Sequence, residues 1–296
     1  MRALAAPASL KEVLSAADAA DALAQGLRRA GAEADALPVA DGGDGTLEVL
    51  QRALGGEWRS ARVTAPLGGE LEAPYVVLPS NSVLLGTAEV LGFATVPRLD
   101  PLRASSRGLG ELILATAPGA GELLVCLGGT VTVDAGAGMR EVLDELPCPT
   151  RVLYDVHSPL LDAVQVFAAQ KGAAPEQLPE LEKRLRGLPD VPGAGAAGGL
   201  GGAFKALGAT LVPGAKLVLD LIGFDPRGYD LVVTGEGAVD ETTFAGKAPG
   251  EVVRRCEEAG IRCHLFSARD DLSGGPSRAR EDLLALGERL GHELVE

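Results

Sequence analysis

Three stretches of the chain set acids among glycines directly after an apolar run. They are Ala40-Asp41-Gly42-Gly43-Asp44-Gly45-Thr46, Gly128-Gly129-Thr130-Val131-Thr132-Val133-Asp134-Ala135-Gly136 and Gly235-Glu236-Gly237-Ala238-Val239-Asp240. Main-chain amides in such turns can cradle phosphate oxygens, and a helix that begins just after adds the positive end of its dipole. Carboxylates repel phosphate, so among these glycines they would hold Mg2+ or orient a hydroxyl. One such loop is as readily an ordinary tight turn; three together favour phosphoryl chemistry.

Lysine usage adds a second clue. The chain has six Lys against 21 Arg, and Lys11, Lys171 and Lys247 fall beside glycine or near a helix start, whereas Lys183, Lys205 and Lys216 read as solvated charges. Ser9-Leu10-Lys11-Glu12 fits a capping box that opens a helix, which puts Lys11 in a first turn where the dipole favours acids. Anion binding would offset that local cost; a snorkelling surface lysine is the bland alternative. Loss of Lys11 or Asp134 is expected to lower turnover with little loss of stability.

Several other chemistries are excluded or disfavoured. Gly193-Ala194-Gly195-Ala196-Ala197-Gly198 matches the dinucleotide fingerprint formally, but Pro189 and Pro192 stand where a strand is required. Gly246-Lys247 is followed by Ala248, so the P-loop motif is absent. His157, His264 and His292 lack metal spacing, and no hydrolase triad signature occurs. Cys126, Cys148, Cys256 and Cys263 show neither zinc nor redox spacing and read as reduced core thiols.

The elements that must position these loops can be read from periodicity. Ala3–Pro7 reads as a strand. Leu10, Val13, Leu14, Ala17, Ala20, Ala24 and Leu27 share a helical face that Gly31 stops, Ala36–Ala40 reads as a strand crossed by Pro38, and Thr46–Leu54 as a helix. Short β-prone pieces follow at Pro74–Leu78 and Val83–Leu85. Then come a helix over Gly108–Ala117, a buried strand Leu123–Leu127 and a charged helix over Pro175–Gly187. Asp230–Thr234 and Ile261–Phe266 read as strands around a helix from Pro249 to Gly260, and Ser273–Ala279 as a polar loop. Two βαβ-like ends around a dissimilar middle predict an α/β fold in which both termini build one domain and a second is inserted.

The bulk composition agrees. The chain has 296 residues, enough for two modest domains, with 46% hydrophobic residues, mean hydropathy +0.17, 40 Gly and a net charge of −14. That charge speaks against nucleic-acid and anionic-membrane partners and for a small substrate. No window of about 20 apolar residues and no signal-peptide pattern occur, which predicts a soluble cytoplasmic protein.

Taken in order, the motifs resemble the glycerate kinase family from about Ala6 to Phe266. They are Ala6 to Lys11, Ala40 to Thr46, Pro101 to Ile113, Gly128-Gly129 through Gly138-Met139, and Asp155-Val156 with Pro159-Leu160. Phe167 with Gln170 to Ala173, Pro192 to Gly201, and Thr234 to Gly237 with Asp240 and Gly246 to Pro249 complete the series. The resemblance implies two α/β domains. One is flavodoxin-like (Rossmann-like), formed by both chain ends at residues 1–62 and 228–296; the other is an inserted mixed-sheet, restriction-enzyme-like domain at 63–227, with the active site between them. It implies transfer of the ATP γ-phosphoryl group to D-glycerate with Mg2+, commonly giving 2-phosphoglycerate.

Carried over position by position, the resemblance makes Lys11, Asp41, Asp134, Asp155, Lys171 and Asp240 the catalytic candidates. Ser9, Gly42, Gly43, Gly45, Thr46, Gly128, Gly129, Gly195, Gly198, Gly199, Glu236 and Lys247 become those for phosphate and substrate, and Asp41, Asp134 and Glu236 those for a metal. A homodimer is allowed without being required. The chain departs from the family pattern at Ala8, Glu12, Val133, His157-Ser158 and Glu241-Thr242, and looks shorter around Met139–Thr150 and after Phe266. Those departures keep two further readings in view: a kinase of another hydroxy or sugar acid, and a binding homologue without efficient transfer. A dinucleotide oxidoreductase would need a strand directly before Gly193.

Overall fold

The computed structural model describes residues 1–10, 13–155, 158–272 and 274–296. It falls into two compact units. One comprises Met1–Asp41, Glu48–Ala53 and Ala215–Glu296; the other comprises Gly42–Leu47 and Leu54–Gly214.

The first unit holds a four-stranded parallel sheet in the order β10-β9-β1-β2, made of β1 (Arg2–Ala5), β2 (Glu33–Ala36), β9 (Leu231–Glu236) and β10 (Arg262–Ser267). Ala3, Leu4 and Ala5 of β1 pair with Leu231, Val232 and Val233 of β9, which joins the two chain ends in one sheet. Alternation along the strands sorts their side chains onto two faces. Ala3, Ala5, Leu231 and Val233 pack under α1 (Ala16–Arg29) and α12 (Ala279–Val295). Leu4 and Val232 pack under α9 (Gly214–Leu221) and α10 (Ala248–Ala259). Helices α1 and α12 meet through glycine: a Cβ on Gly26 would strike the Leu284 carbonyl, and one on Gly291 would lie 2.6 Å from Ala30 Cβ.

Two expectations shift here. Helix α1 begins at Ala16 rather than near Ser9, because Ser15 supplies the cap: its Oγ accepts from Asp18 N at 3.0 Å. Lys11, expected in the first turn of that helix, lies outside the described residues with Glu12, Val156, His157 and Ser273. Strand β2 ends at Ala36, before the predicted Ala36–Ala40. Leu37 N and Val39 N still donate to Ala5 O and Pro7 O at 2.8 and 3.0 Å, but Pro38 between them has no N–H and interrupts the ladder.

The second unit holds a six-stranded mixed sheet, β3-β4-β5-β6-β7-β8. Its strands are β3 (Glu57–Thr64), β4 (Glu70–Val77), β5 (Ser82–Gly86), β6 (Glu122–Leu127), β7 (Thr150–Tyr154) and β8 (Thr210–Pro213). The β3–β4–β5 pairings are antiparallel and β5 through β8 run parallel. Helices α3 (Thr87–Leu91), α4 (Arg107–Thr116), α5 (Ala137–Arg140), α6 (Asp162–Gln165), α7 (Leu178–Arg184) and α8 (Ala196–Ala206) follow the sheet strands, and α2 (Thr46–Leu54) leaves the first glycine loop. The result is the expected α/β architecture, with a parallel sheet built by both chain ends and a mixed sheet built by the middle. Helix α12 was not foreseen: within the stretch expected to be a polar loop, the 3₁₀ turn Pro276–Arg278 leads directly into it.

Candidate functional site

Each unit gathers its share of the predicted residues where parallel strands end, the edge at which α/β sheets bind ligands. In the second unit the Gly42–Thr46 turn closes on itself. Gly42 N donates to Thr46 Oγ1 at 3.1 Å and Thr46 Oγ1 donates to Gly43 O at 2.7 Å, while Gly42 and Gly45 adopt φ of +96° and +81°. This turn lies directly on Gly128–Gly129 at the end of β6. A Cβ on Gly129 would run into the Asp44 carboxylate, and one on Gly42 would stand 3.1 Å from Leu153 Cβ of β7. Glycine is favoured at both positions by this crowding and by the positive φ that each adopts.

Thr87, in the first turn of α3, fixes the Gly128 peptide from below. Its hydroxyl accepts from Gly128 N at 2.9 Å and donates to Gly128 O at 2.8 Å. Sequence reasoning missed Thr87; its only signal was a hydroxyl directly after the strand-ending Gly86.

The Lys171 ammonium is buried, with 4% of the residue exposed, and donates to Thr130 Oγ1 and Thr132 O, both at 2.9 Å. Burial pushes its pKa down to about 7, and the negative charges of Asp134 and Asp155 oppose that shift only in part. The segment Gly193–Gly199 closes over the same loop: Ala135 N donates to Gly198 O at 3.2 Å, and a Cβ on Gly198 would strike Thr132 O. Ala197, Gly198 and Gly199 follow one another at φ of 51°, 73° and 90°. Among the described residues no strand leads directly into Gly193: β7 ends at Tyr154, and the element that comes just before Gly193, α7, ends at Arg184. The dinucleotide reading loses its structural requirement.

Asp134 has a different place from the one the sequence suggested. It is buried, and its carboxylate accepts from Ser106 N and Ser106 Oγ at 2.8 Å each, from Gly136 N at 3.1 Å and from Gly138 N at 3.1 Å. With both oxygens engaged by four donors, it holds the Gly128–Gly136 loop against α4 and α5. The expectation that its loss spares stability is thereby corrected, because those donors would be left buried without an acceptor.

In the first unit, Thr234 Oγ1 donates to Ala6 O at 2.7 Å and Ala8 N donates to Gly235 O at 2.9 Å, so the loops after β1 and β9 leave the sheet side by side. From β1 the sheet continues to β2 and from β9 to β10, which makes this the topological switch point. Ser9 and Asp41 belong to this unit and are half-buried. Glu236 accepts from Thr243 Oγ1 at 2.6 Å through Oε1 and pairs with Lys247 Nζ at 3.3 Å through Oε2. Asp240 is exposed and caps the turn Glu241–Ala245: Oδ1 accepts from Thr242 N at 2.8 Å, and Asp240 N donates to Thr243 Oγ1 at 3.1 Å. The Thr242 hydroxyl and amide, with the Lys247 charge, hold the Asp240 pKa below its ordinary value.

The units therefore divide the predicted set. Ser9, Asp41, Glu236, Asp240 and Lys247 fall in the first; Gly42, Gly43, Gly45, Thr46, Gly128, Gly129, Asp134, Asp155, Lys171, Gly195, Gly198 and Gly199 in the second. Thr130, Ser106 and Thr243 join them as contacts the sequence did not single out. Two departures are absorbed by packing: Val133 is fully buried in an apolar cluster with Leu160 and Leu181, and Ala8 packs against the cluster around Leu4 and Val252.

The glycerate kinase family model matches residues 3–146 and 143–279. Glycerate 2-kinase of Escherichia coli K12 is 35% identical over 305 aligned residues, covering 84% of this chain and 80% of its own length. The glycerate kinase of Halalkalibacterium halodurans is 32% identical over 312, covering 86% and 82%. The crystal structure of a candidate glycerate kinase 2 from Salmonella typhimurium LT2 superposes with a TM-score of 0.82 at 30% identity, covering 100% of this chain and 98% of that one. The parallel and mixed sheets, their glycine turns and these matches together place the chain in the glycerate kinase family, as a kinase.

Proposed function

We propose that this kinase transfers the γ-phosphoryl group of ATP to a hydroxyl of D-glycerate with Mg2+, giving 2-phosphoglycerate. Family membership supports the acceptor, and the E. coli relative's name, glycerate 2-kinase, favours the 2-position. The observation that carries the phosphate chemistry is the stacking of Gly42–Thr46 on Gly128–Gly129, which leaves two turns of bare main chain beside the buried Lys171. In the transfer, the glycerate hydroxyl oxygen attacks the γ-phosphorus, the bond from that phosphorus to the β–γ bridging oxygen breaks, and ADP leaves. The hydroxyl proton passes to a carboxylate, for which Asp155 and Asp240 are the proposed acceptors.

The donor set fits Mg2+ in one particular way. Among the described residues no three His, Cys, Asp or Glu side chains converge, so an all-protein cage is not on offer. Mg2+ commonly keeps its waters and takes one or two carboxylates plus substrate phosphates. Asp41 and Glu236 are the carboxylates proposed to hold it, and when bound it would neutralise charge on the phosphate oxygens. A cytoplasmic location belongs to the same proposal; among the described residues no helix is long and apolar enough to cross a membrane.

The test is turnover of D-glycerate with ATP and Mg2+, followed by ADP release and by phosphorus NMR of the product. ADP formation with the phosphate on the 2-position is expected. Thermal stabilisation by glycerate or ATP with no ADP formed would replace the kinase reading with that of a binding homologue.

A further inference from the structure

Two hydroxyls are buried without a hydrogen-bond partner among the described residues: Thr132 Oγ1, on the residue whose carbonyl accepts from Lys171, and Ser158 Oγ. Thr132 is fully buried and Ser158 is 6% exposed. A buried polar atom left unpaired is costly, and in a native fold it calls for an explanation, a role in binding or catalysis among them. Each lies in a stretch that the segment Gly193–Gly199 packs against. Gly195 N donates to Ser158 O at 3.2 Å, and a Cβ on Gly195 would stand 3.1 Å from Ser158 Oγ. Three residues on, Gly198 lies against Thr132 O, the same oxygen that accepts from Lys171 Nζ at 2.9 Å. The loop that brings these groups together holds Ala197 at φ 51°, a strained left-handed conformation that a side chain rarely adopts.

Neutral hydroxyls could be satisfied by a water. A buried ammonium whose acceptors are a hydroxyl and a carbonyl asks for more, because neither carries the negative charge that would compensate it. An anion with two acceptor oxygens answers both needs at once. A phosphate would bring about twice the charge and more oxygens than one ammonium and two hydroxyls can match. We propose that Lys171, Thr132 and Ser158, closed over by Gly195–Gly199, form the carboxylate-recognition pocket for a short hydroxy acid. The inference rests on the reading above only for which acid is bound. It separates recognition of the acid end, at Lys171, from phosphate handling, at the Gly42–Thr46 and Gly128–Gly129 turns.

The test compares the wild-type chain with Thr132→Val, which keeps the shape and removes the hydroxyl, and with Ser158→Ala. Melting temperatures are measured without ligand and with D-glycerate, glycerol, lactate or ATP, and KM is measured for both substrates. Without ligand, Thr132→Val should melt at or above the wild type, since an unpaired buried hydroxyl is lost. Stabilisation by glycerate and lactate should shrink in both variants, with KM for glycerate rising about tenfold per hydroxyl while kcat and KM for ATP stay within about twofold. Wild type stabilised by lactate but not by glycerate would retain the pocket and remove the glycerate assignment. The pocket itself is overturned by any of three results: a lowered ligand-free melting temperature in Thr132→Val, a rise in KM for ATP alone, or glycerol stabilising as well as the acids.

Discussion

Gly128 and Gly43 meet backbone to backbone: a Cβ placed on Gly128 would stand 2.7 Å from the Cα of Gly43. The two turns are separated by more than eighty residues of sequence, yet the first fits against the second only because Gly128 lacks a side chain. Gly128→Ala should push the Gly42–Thr46 turn outward, costing about 1–3 kcal/mol of stability and at least about tenfold in kcat/KM. Gly208→Ala is the control: φ there is +91° but the space is open, so backbone strain of about 1 kcal/mol and unchanged kinetics are expected. Urea melts and steady-state rates on the two variants decide it, and equal kinetic losses in both would refute the contact's role.

Asp134→Asn should be a stability variant before it is a kinetic one. The carboxylate accepts from three N–H groups and one hydroxyl, and an amide would turn a donor toward at least one of those N–H groups. A loss of about 2–4 kcal/mol is expected in urea unfolding. A variant with near-native stability and strongly reduced kcat would instead return Asp134 to the catalytic set.

These two cases show what the sequence could and could not reveal. The turn at Gly42–Thr46 and the helix Thr46–Leu54 were legible because glycine runs and helical periodicity are local signals. The role of Asp134 was not, because its donors include Ser106 and Gly138 on separate elements, and an acid among glycines looks the same whether it faces a metal or three amides and a hydroxyl. Ser9 against Ser15 was a contest between two local caps, with Ser15-x-x-Asp18 winning. Helix α12 was readable in principle, since Leu283, Leu286, Leu290 and Leu294 recur at helical spacing and bury against α1. Lys171 was noticed for its neighbouring glycine, but nothing local announces that Thr130 and Thr132 would bury it.

Glu236 and Lys247 make opposite predictions about Mg2+. Lys247 Nζ occupies Oε2 of Glu236, so the ammonium competes with any cation that carboxylate is to hold. Lys247→Met should lower the Mg2+ concentration giving half-maximal turnover, while Glu236→Gln should raise it by about tenfold or more, equivalent to ~1.4 kcal/mol. Both variants should keep the KM for glycerate. If Mg2+ titrations of the two variants overlay the wild type, Glu236 is a loop anchor through Thr243 and not a metal ligand.

Lys171 predicts a pH dependence whose sign is fixed. Its pKa is about 7 in the folded chain against an ordinary 10.5, so between those values the unfolded chain binds one more proton. Stability contributed by this group therefore rises with pH from about 7 to 10.5, and below about 7 its penalty is constant and complete. The gap amounts to on the order of 5 kcal/mol as an upper bound. Lys171→Met has similar bulk and no charge, so it should melt above the wild type at pH 6–7, with the difference narrowing steadily above pH 7 and closing only as pH nears 10.5. Asp134 and Asp155 are the charges that resist the shift. A bound carboxylate would resist it further by favouring the ammonium, so acid binding should take up a proton near neutral pH. KM for glycerate should then climb as pH rises past about 7, by up to about tenfold per pH unit. Calorimetry in buffers of different ionisation enthalpy reads the proton directly. A pH-independent gap in melting temperature together with no proton uptake would mean that Lys171 stays charged in the fold and that its burial is compensated by something other than the acids named here.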